Sequence, residues 1–143
     1  MEIKRILVVD DNSDDLALTI RAFRKLNFNE ELVVANGGIE ALGYLFGEGK
    51  EDGCEIENLP SLVLLDLKMP KVSGLDVLRE IRSVEKTKLV PVVMFTSSNE
   101  ERDIIASREL GANNYIQKPV KFSDFIEVIK WLVRSMDLQP TST

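Results

Sequence analysis

Four short runs with the character of strands end abruptly on groups able to do chemistry. Asp10 and Asp11 follow IKRILVV, Asp66 follows LVLL, Thr96 and Ser97 follow VPVVMF, and Lys118 follows NNYIQ. Taken singly, each has an ordinary explanation: an Asp-Asp pair or a Thr-Ser-Ser run is often only a helix cap, and a Lys-Pro only a loop. Together they assemble a reaction site. Three carboxylates brought close repel and raise one another's pKa, and a divalent cation relieves that repulsion. An all-oxygen donor set suits Mg²⁺, Mn²⁺ or Ca²⁺. A carboxylate beside such an ion can act as a nucleophile, and carboxylates accept phosphoryl groups. The cation and Lys118 would neutralise charge on the group in transfer, and the Thr96 hydroxyl could hydrogen-bond one of its oxygens.

These residues meet only if the elements carrying them line up. Strand signals cover Ile3–Val9, Glu31–Ala35, Leu62–Leu65, Val90–Phe95 (with Pro91 at its start) and Asn113–Gln117. Helical spacing appears between them. Asn12 or Ser13 caps a helix that buries Leu16, Ile20 and Phe23; a second runs from Ile39 to Phe46 with Leu42, Leu45 and Phe46 inward. Ser73 and Asp76 form a capping box ahead of Leu75, Leu78 and Ile81. Ser98 and Glu101 suggest a second box, opening a helix to about Leu110 with Gly111 at its end. The last helix carries Phe125, Ile129, Leu132 and Met136 on one face; Met94 and Trp131 read as core or helix-face packing. Strict strand–helix alternation gives an α/β fold with a parallel sheet covered on both faces. In such open sheets ligands bind beyond the carboxyl ends of the strands, where all the singled-out groups fall.

Bulk properties narrow the function further. The 143 residues, 44% hydrophobic and 29% charged, suit one globular domain, expected over residues 1–137 with a short tail at 138–143. A net charge of −6 with no basic stripe argues against nucleic acid or an anionic membrane as partner. There is no histidine, which excludes Ser-His-Asp or Cys-His catalysis within the chain, and one cysteine, Cys54, which excludes an internal disulfide. No apolar run approaches the roughly 20 residues of a membrane span, and the first carboxylates come too early for a signal peptide, so a cytoplasmic location is expected. Two partial motifs fail. Asp10, Asn12 and Asp14 imitate a calcium loop, but Asp15 stands at the glycine position and Arg21 at the bidentate glutamate. Gly47, Gly49 and Gly53 lack dinucleotide-loop spacing. The polar stretch Gly47–Pro60 exceeds the roughly 2–6 residues usual for such connections and is read as surface or partner contact.

The motifs VVDDN (Val8–Asn12), LLDLKMPKVSG (Leu64–Gly74), MFTSS (Met94–Ser98) and YIQKP (Tyr115–Pro119), in this order, resemble the receiver domain of two-component response regulators over Ile3 to about Met136. The resemblance implies a flavodoxin-like doubly wound sheet of order 2-1-3-4-5 with five helices. It implies Asp66 as phosphoacceptor from a histidine kinase, with Mg²⁺ held by Asp11 directly, by Asp10 mainly through water, by Asp66 and by the backbone carbonyl of Lys68. Thr96 would be the switch hydroxyl, Lys118 the lysine that pairs with the phosphate, Tyr115 the aromatic switch, and the Lys118–Pro119 bond cis. Phosphorylation would draw Thr96 and Lys118 inward, let Tyr115 turn, and repack helix 4, strand 5 and helix 5. Lys68 and Ser98 would flank the site at positions that tune dephosphorylation. With no output domain expected after the last helix, signalling would run through protein contact or a homodimer on that face. Length and the 47–60 loop make the chain similar to single-domain regulators serving phytochrome-type histidine kinases.

Two other functions fit parts of the pattern. A Mg²⁺-dependent phosphohydrolase of the haloacid-dehalogenase type shares the strand–Asp, Thr and Lys logic, but needs a second Asp two residues after the nucleophile, where Lys68 stands. A non-phosphorylated interaction module would carry a vestigial pocket, and nothing essential is missing from this one.

Overall fold

A computed structural model describes residues 5–26, 31–47 and 53–135. Ile3, Met136, the tail and the middle of the 47–60 stretch lie outside the described residues. The strands are β1 (Arg5–Val9), β2 (Glu31–Ala35), β3 (Leu62–Leu65), β4 (Val92–Thr96) and β5 (Asn114–Gln117). The helices are α1 (Ser13–Lys25), α2 (Gly38–Phe46), α3 (Gly74–Ser83), α4 (Glu101–Glu109) and α5 (Phe122–Ser135), with a short 3-10 turn at Ile56–Asn58. The strands form one parallel sheet ordered β2-β1-β3-β4-β5, as expected for a flavodoxin-like fold.

The apolar runs of β1, β3 and β4 explain this order. A parallel strand covered on both faces needs apolar side chains in both directions, and these three sit at the centre. Ile6, Val8, Leu62, Leu64, Val93 and Phe95 pack against α1 and α5, where Phe95 and Phe125 meet edge to face at 5.6 Å. Leu7, Val9, Val63, Leu65, Val92 and Met94 face the opposite way, onto α2 and α3. The flanking strands β2 and β5 are less buried and carry mixed residues.

Local chemistry sets the element ends. Asn12 caps α1, its side-chain oxygen accepting from the N–H groups of Asp14 and Asp15. The Ser73–Asp76 capping box forms in full at the start of α3. β4 begins at Val92, later than the apolar pattern suggests, because Pro91 has no N–H for the ladder; its carbonyl still accepts from Val63. β5 begins at Asn114; just before it, the Asn113 N–H donates to Val92 O at 2.7 Å while its side-chain oxygen accepts from the Val92 N–H and Arg82. Gly111, at φ +96°, follows α4 in the left-handed region that glycine tolerates.

Three expectations fail. The Ser98–Glu101 box does not form: α4 is capped by Glu100 without a side-chain bond, while the Ser98 hydroxyl accepts from the Glu100 N–H and donates to Asp103, and the Ser98 N–H donates to Thr96 Oγ1. Every peptide among the described residues is trans, Lys118–Pro119 included; trans is the form an X-Pro amide favours by about 0.5–1 kcal/mol. Trp131 is 49% exposed, since it lies off the Phe125–Ile129–Leu132 stripe that buries α5.

Candidate phosphoryl-acceptor pocket

The parallel ladder aligns the polar groups by register. Val9 pairs with Leu65, Leu65 with Met94, and Thr96 with Gln117. One residue past these pairs, the Asp66 N–H donates to Val9 O (2.9 Å), the Asp10 N–H to Ala35 O (3.1 Å) and the Lys118 N–H to Thr96 O (2.7 Å). The backbones of Asp10, Asp66 and Lys118 are thereby fixed at one edge before any side chain interacts.

The side chains then converge on Lys118. Its ammonium lies 2.6 Å from Asp10 Oδ2, 2.8 Å from Asp15 Oδ2 and 3.5 Å from Asp66 Oδ2. The remaining oxygens have fixed duties: Asp10 Oδ1 accepts from the Asn12 N–H, and Asp66 Oδ1 from the Leu67 N–H. Asp10, Asp66, Thr96 and Lys118 are all buried, whereas Asp11 is exposed. Burial pushes the Asp10 carboxyl up from 3.8 to about 6, against the pull of its bonds to Lys118 and Asn12 and with a further push from Asp66. For Lys118, burial alone would lower the ammonium; hydrogen bonds to Asp10 and Asp15 and the charge of Asp66 outweigh it and hold the pKa above the ordinary lysine value.

Carboxylate oxygens of Asp10, Asp11 and Asp66 lie within 4.8 Å of one another. Hard carboxylate donors, one of them a buried acid pushed up in pKa, fit a small divalent cation. A cleft of about 310 Å³ opens beside Asp66, lined by Lys68, Thr96, Ser97, Ser98, Asn99 and Glu100. Across its mouth the Lys68 ammonium pairs with Glu100 (3.2 Å) and Asp103 (3.7 Å), and the Ser98 hydroxyl donates to Asp103 at 2.6 Å. Ser98 is thus turned toward α4. The Tyr115 hydroxyl donates to Ser98 O at 2.9 Å, tying β5 to the same loop. The sequence-predicted residues Asp10, Asp66 and Lys118 are in mutual contact, Asp11 completes the carboxylate group, and Thr96 shares the cleft with Asp66. Asp15 and Asp103 were not anticipated: both are helix residues whose partners lie on other segments.

A doubly wound sheet with an acidic, lysine-bound pocket at its carboxyl edge defines the class, and the sequence comparison agrees. The family model described as "Response regulator receiver domain" matches residues 6–130, and the chain belongs to this family. It is 36% identical over 129 residues to the response regulator Rcp1 of Synechocystis sp., covering 89% of this chain and 84% of that one. Among solved structures, the phosphorylated cyanobacterial phytochrome response regulator RcpA superposes with a TM-score of 0.83 at 34% identity, covering 99% and 97% of the two chains. The Mn²⁺-bound form of Rcp1 gives 0.81 at 34% identity, covering 98% and 97%. Receiver domains are phosphorylated by histidine kinases, bind Mg²⁺ at their acidic pocket and are generally not enzymes in the ordinary sense. No helix among the described residues is long and apolar enough to cross a membrane.

Proposed function

We propose that Asp66 is the residue of this receiver that accepts the phosphoryl group, and that the observation carrying this reading is the shared edge on which Lys118 contacts Asp10 and Asp66 together. In the transfer, a carboxylate oxygen of Asp66 forms its bond to phosphorus while the donor's histidine N–P bond breaks. The bound Mg²⁺ would supply charge neutralisation for the phosphoryl oxygens. Asp10, Asp11, Asp66 and the Lys68 carbonyl would hold it, which the carboxylate grouping supports. Lys118 screens the new anion from within the pocket. Thr96, buried beside the same cleft, offers its hydroxyl to a phosphoryl oxygen.

Switching would follow the hydrogen-bonded loop. Movement of Thr96 displaces Ser97 and Ser98, and Ser98 O is the acceptor of the Tyr115 hydroxyl. The face formed by α4, β5 and α5 would then change, as a docking surface or as a homodimer contact. Likeness to the phytochrome response regulator RcpA supports a phytochrome-type histidine kinase as donor, and the reaction would take place in the cytoplasm. Catalysis would be confined to the protein's own phosphorylation and slow dephosphorylation, within one receiver domain over 1–137. The phosphohydrolase reading gains nothing, because the position of its general acid is Lys68, engaged with Glu100 and Asp103.

Asp66→Asn decides the assignment. Incubated with Mg²⁺ and a small-molecule phosphodonor, the native chain should acquire a base-labile phosphoryl label and the variant none; a labelled variant would place the acceptor elsewhere.

A further inference from the structure

We propose that Asp15, in the first turn of α1, is a positioning residue of this pocket: it holds the Lys118 ammonium against the metal-binding side and must yield to phosphoryl oxygens arriving on Asp66. The inference rests on the reading of Asp66 as acceptor. An ammonium has three N–H donors. Two are committed at hydrogen-bonding distance, to Asp10 Oδ2 (2.6 Å) and Asp15 Oδ2 (2.8 Å), and Asp66 Oδ2 stands farther off at 3.5 Å. The residue that will carry the new anion therefore has the weakest claim on the cation meant to screen it.

Asp10 and Asp15 differ in kind. Asp10 belongs to the carboxylate group disposed for a divalent cation, with Asp11 and Asp66; among the described residues Asp15 is outside that group and reaches Lys118 alone. A cation drawing on Asp10 leaves Asp15 as the dedicated anchor of the ammonium. The anchor is itself fixed: the Asp15 N–H donates to Asn12 Oδ1 at 3.1 Å, and its carbonyl accepts from the Thr19 hydroxyl at 2.9 Å. Its side chain is 28% exposed against 5% for Lys118, so it closes the α1 side of a buried charge. A fourth carboxylate there favours the divalent cation and opposes the phosphoryl anion, and these consequences have opposite signs.

The test measures two affinities on the full chain by calorimetry: Mg²⁺ alone, and beryllium fluoride, a phosphoryl mimic, at saturating Mg²⁺. Asp15→Asn should tighten beryllium fluoride by on the order of three- to tenfold and weaken Mg²⁺ by about twofold, the scale of one partly screened charge contact. Asp14→Asn, the exposed neighbour, should shift both by less than twofold. In a Lys118→Met background the gain from Asp15→Asn should vanish, because it acts through that ammonium. An unchanged beryllium fluoride affinity, an equal gain from Asp14→Asn, or a gain that survives in Lys118→Met overturns the proposal. Should Asp15→Asn not fold, Asp15→Ser, compatible with the helix start, serves under the same criteria. A native chain that takes up no beryllium fluoride would sink the Asp66 reading itself; native uptake with an indifferent Asp15→Asn sinks only the role of Asp15.

Discussion

At the scale of single residues, Asp10, proposed to hold the divalent cation, works against stability. Its carboxyl, near 6 in the folded chain and 3.8 as an ordinary carboxyl, binds a proton more tightly folded than unfolded. Between those values the folded state carries the extra proton, so this residue's contribution to stability falls as pH rises through about 4 to 6 and stays unfavourable above. Asp10→Asn removes the buried charge. In metal-free solution at pH 7 it should raise stability by roughly 1–3 kcal/mol, with a smaller gain at pH 5, measured by urea unfolding. The same variant should bind Mg²⁺ more weakly. A loss of stability at pH 7 would show that the 2.6 Å bond to Lys118 outweighs the burial of Asp10. Such residues mark a site because a core under selection for packing alone has no use for them.

At the scale of elements, α3 is seated against the loop carrying Asp66, the proposed acceptor. The Gly74 N–H donates to Leu67 O at 2.7 Å, and a Cβ at residue 74 would stand 2.1 Å from Asp66 O and 2.8 Å from Leu67 Cα. Gly74→Ala must therefore push backbone, costing about 1–3 kcal/mol. Because the displaced atoms belong to Asp66, phosphoryl labelling should slow as well. Ser73→Ala, one residue earlier, removes a cap bond worth about 0.5–2 kcal/mol and should lower the melting temperature while labelling stays near native. A Gly74→Ala chain that is less stable yet labels at the native rate would separate α3 docking from acceptor placement.

Elements also show where sequence reading reaches its limit. Asp10, Asp11, Asp66, Thr96 and Lys118 stand out because each interrupts or follows a strand-like run, and register alone brings strand ends together. Asp15 gives no such signal: on a helix surface a carboxylate near the N-terminus is what the dipole favours anyway, and its partner is 103 residues away. Ser98 misleads for a related reason. Its spacing to Glu101 satisfies the capping-box pattern, but its hydroxyl accepts from the Glu100 N–H (3.3 Å) and donates to Asp103 (2.6 Å), which also pairs with Lys68 across the cleft. Local pattern predicts local bonds, and a nearby group outside the pattern can take the hydroxyl instead.

Across the whole molecule, the two ends of the sheet have separate staples. Away from the pocket, the Lys86 ammonium donates to Leu45 O (3.0 Å) and Cys54 O (3.1 Å), and the Cys54 N–H donates to Tyr44 O, fastening the far side of the long 47–60 connection to α2. Near the pocket, Tyr115 bridges β5 to the Ser98 carbonyl. The first staple should be independent of phosphorylation and the second coupled to it. Tyr115→Phe keeps the ring and deletes one hydrogen bond, worth about 0.5–1.5 kcal/mol. Asp66, Asp10 and Lys118 are untouched, so the variant should label at close to the native rate. What it should lose is transmission. In the native chain, beryllium fluoride with Mg²⁺ should change amide hydrogen exchange at the start of α4 and along β5; in Tyr115→Phe the change should shrink on β5 and persist around Ser98. An undiminished β5 response would mean that the signal reaches the α4–β5–α5 face through packing of the ring rather than through its hydroxyl.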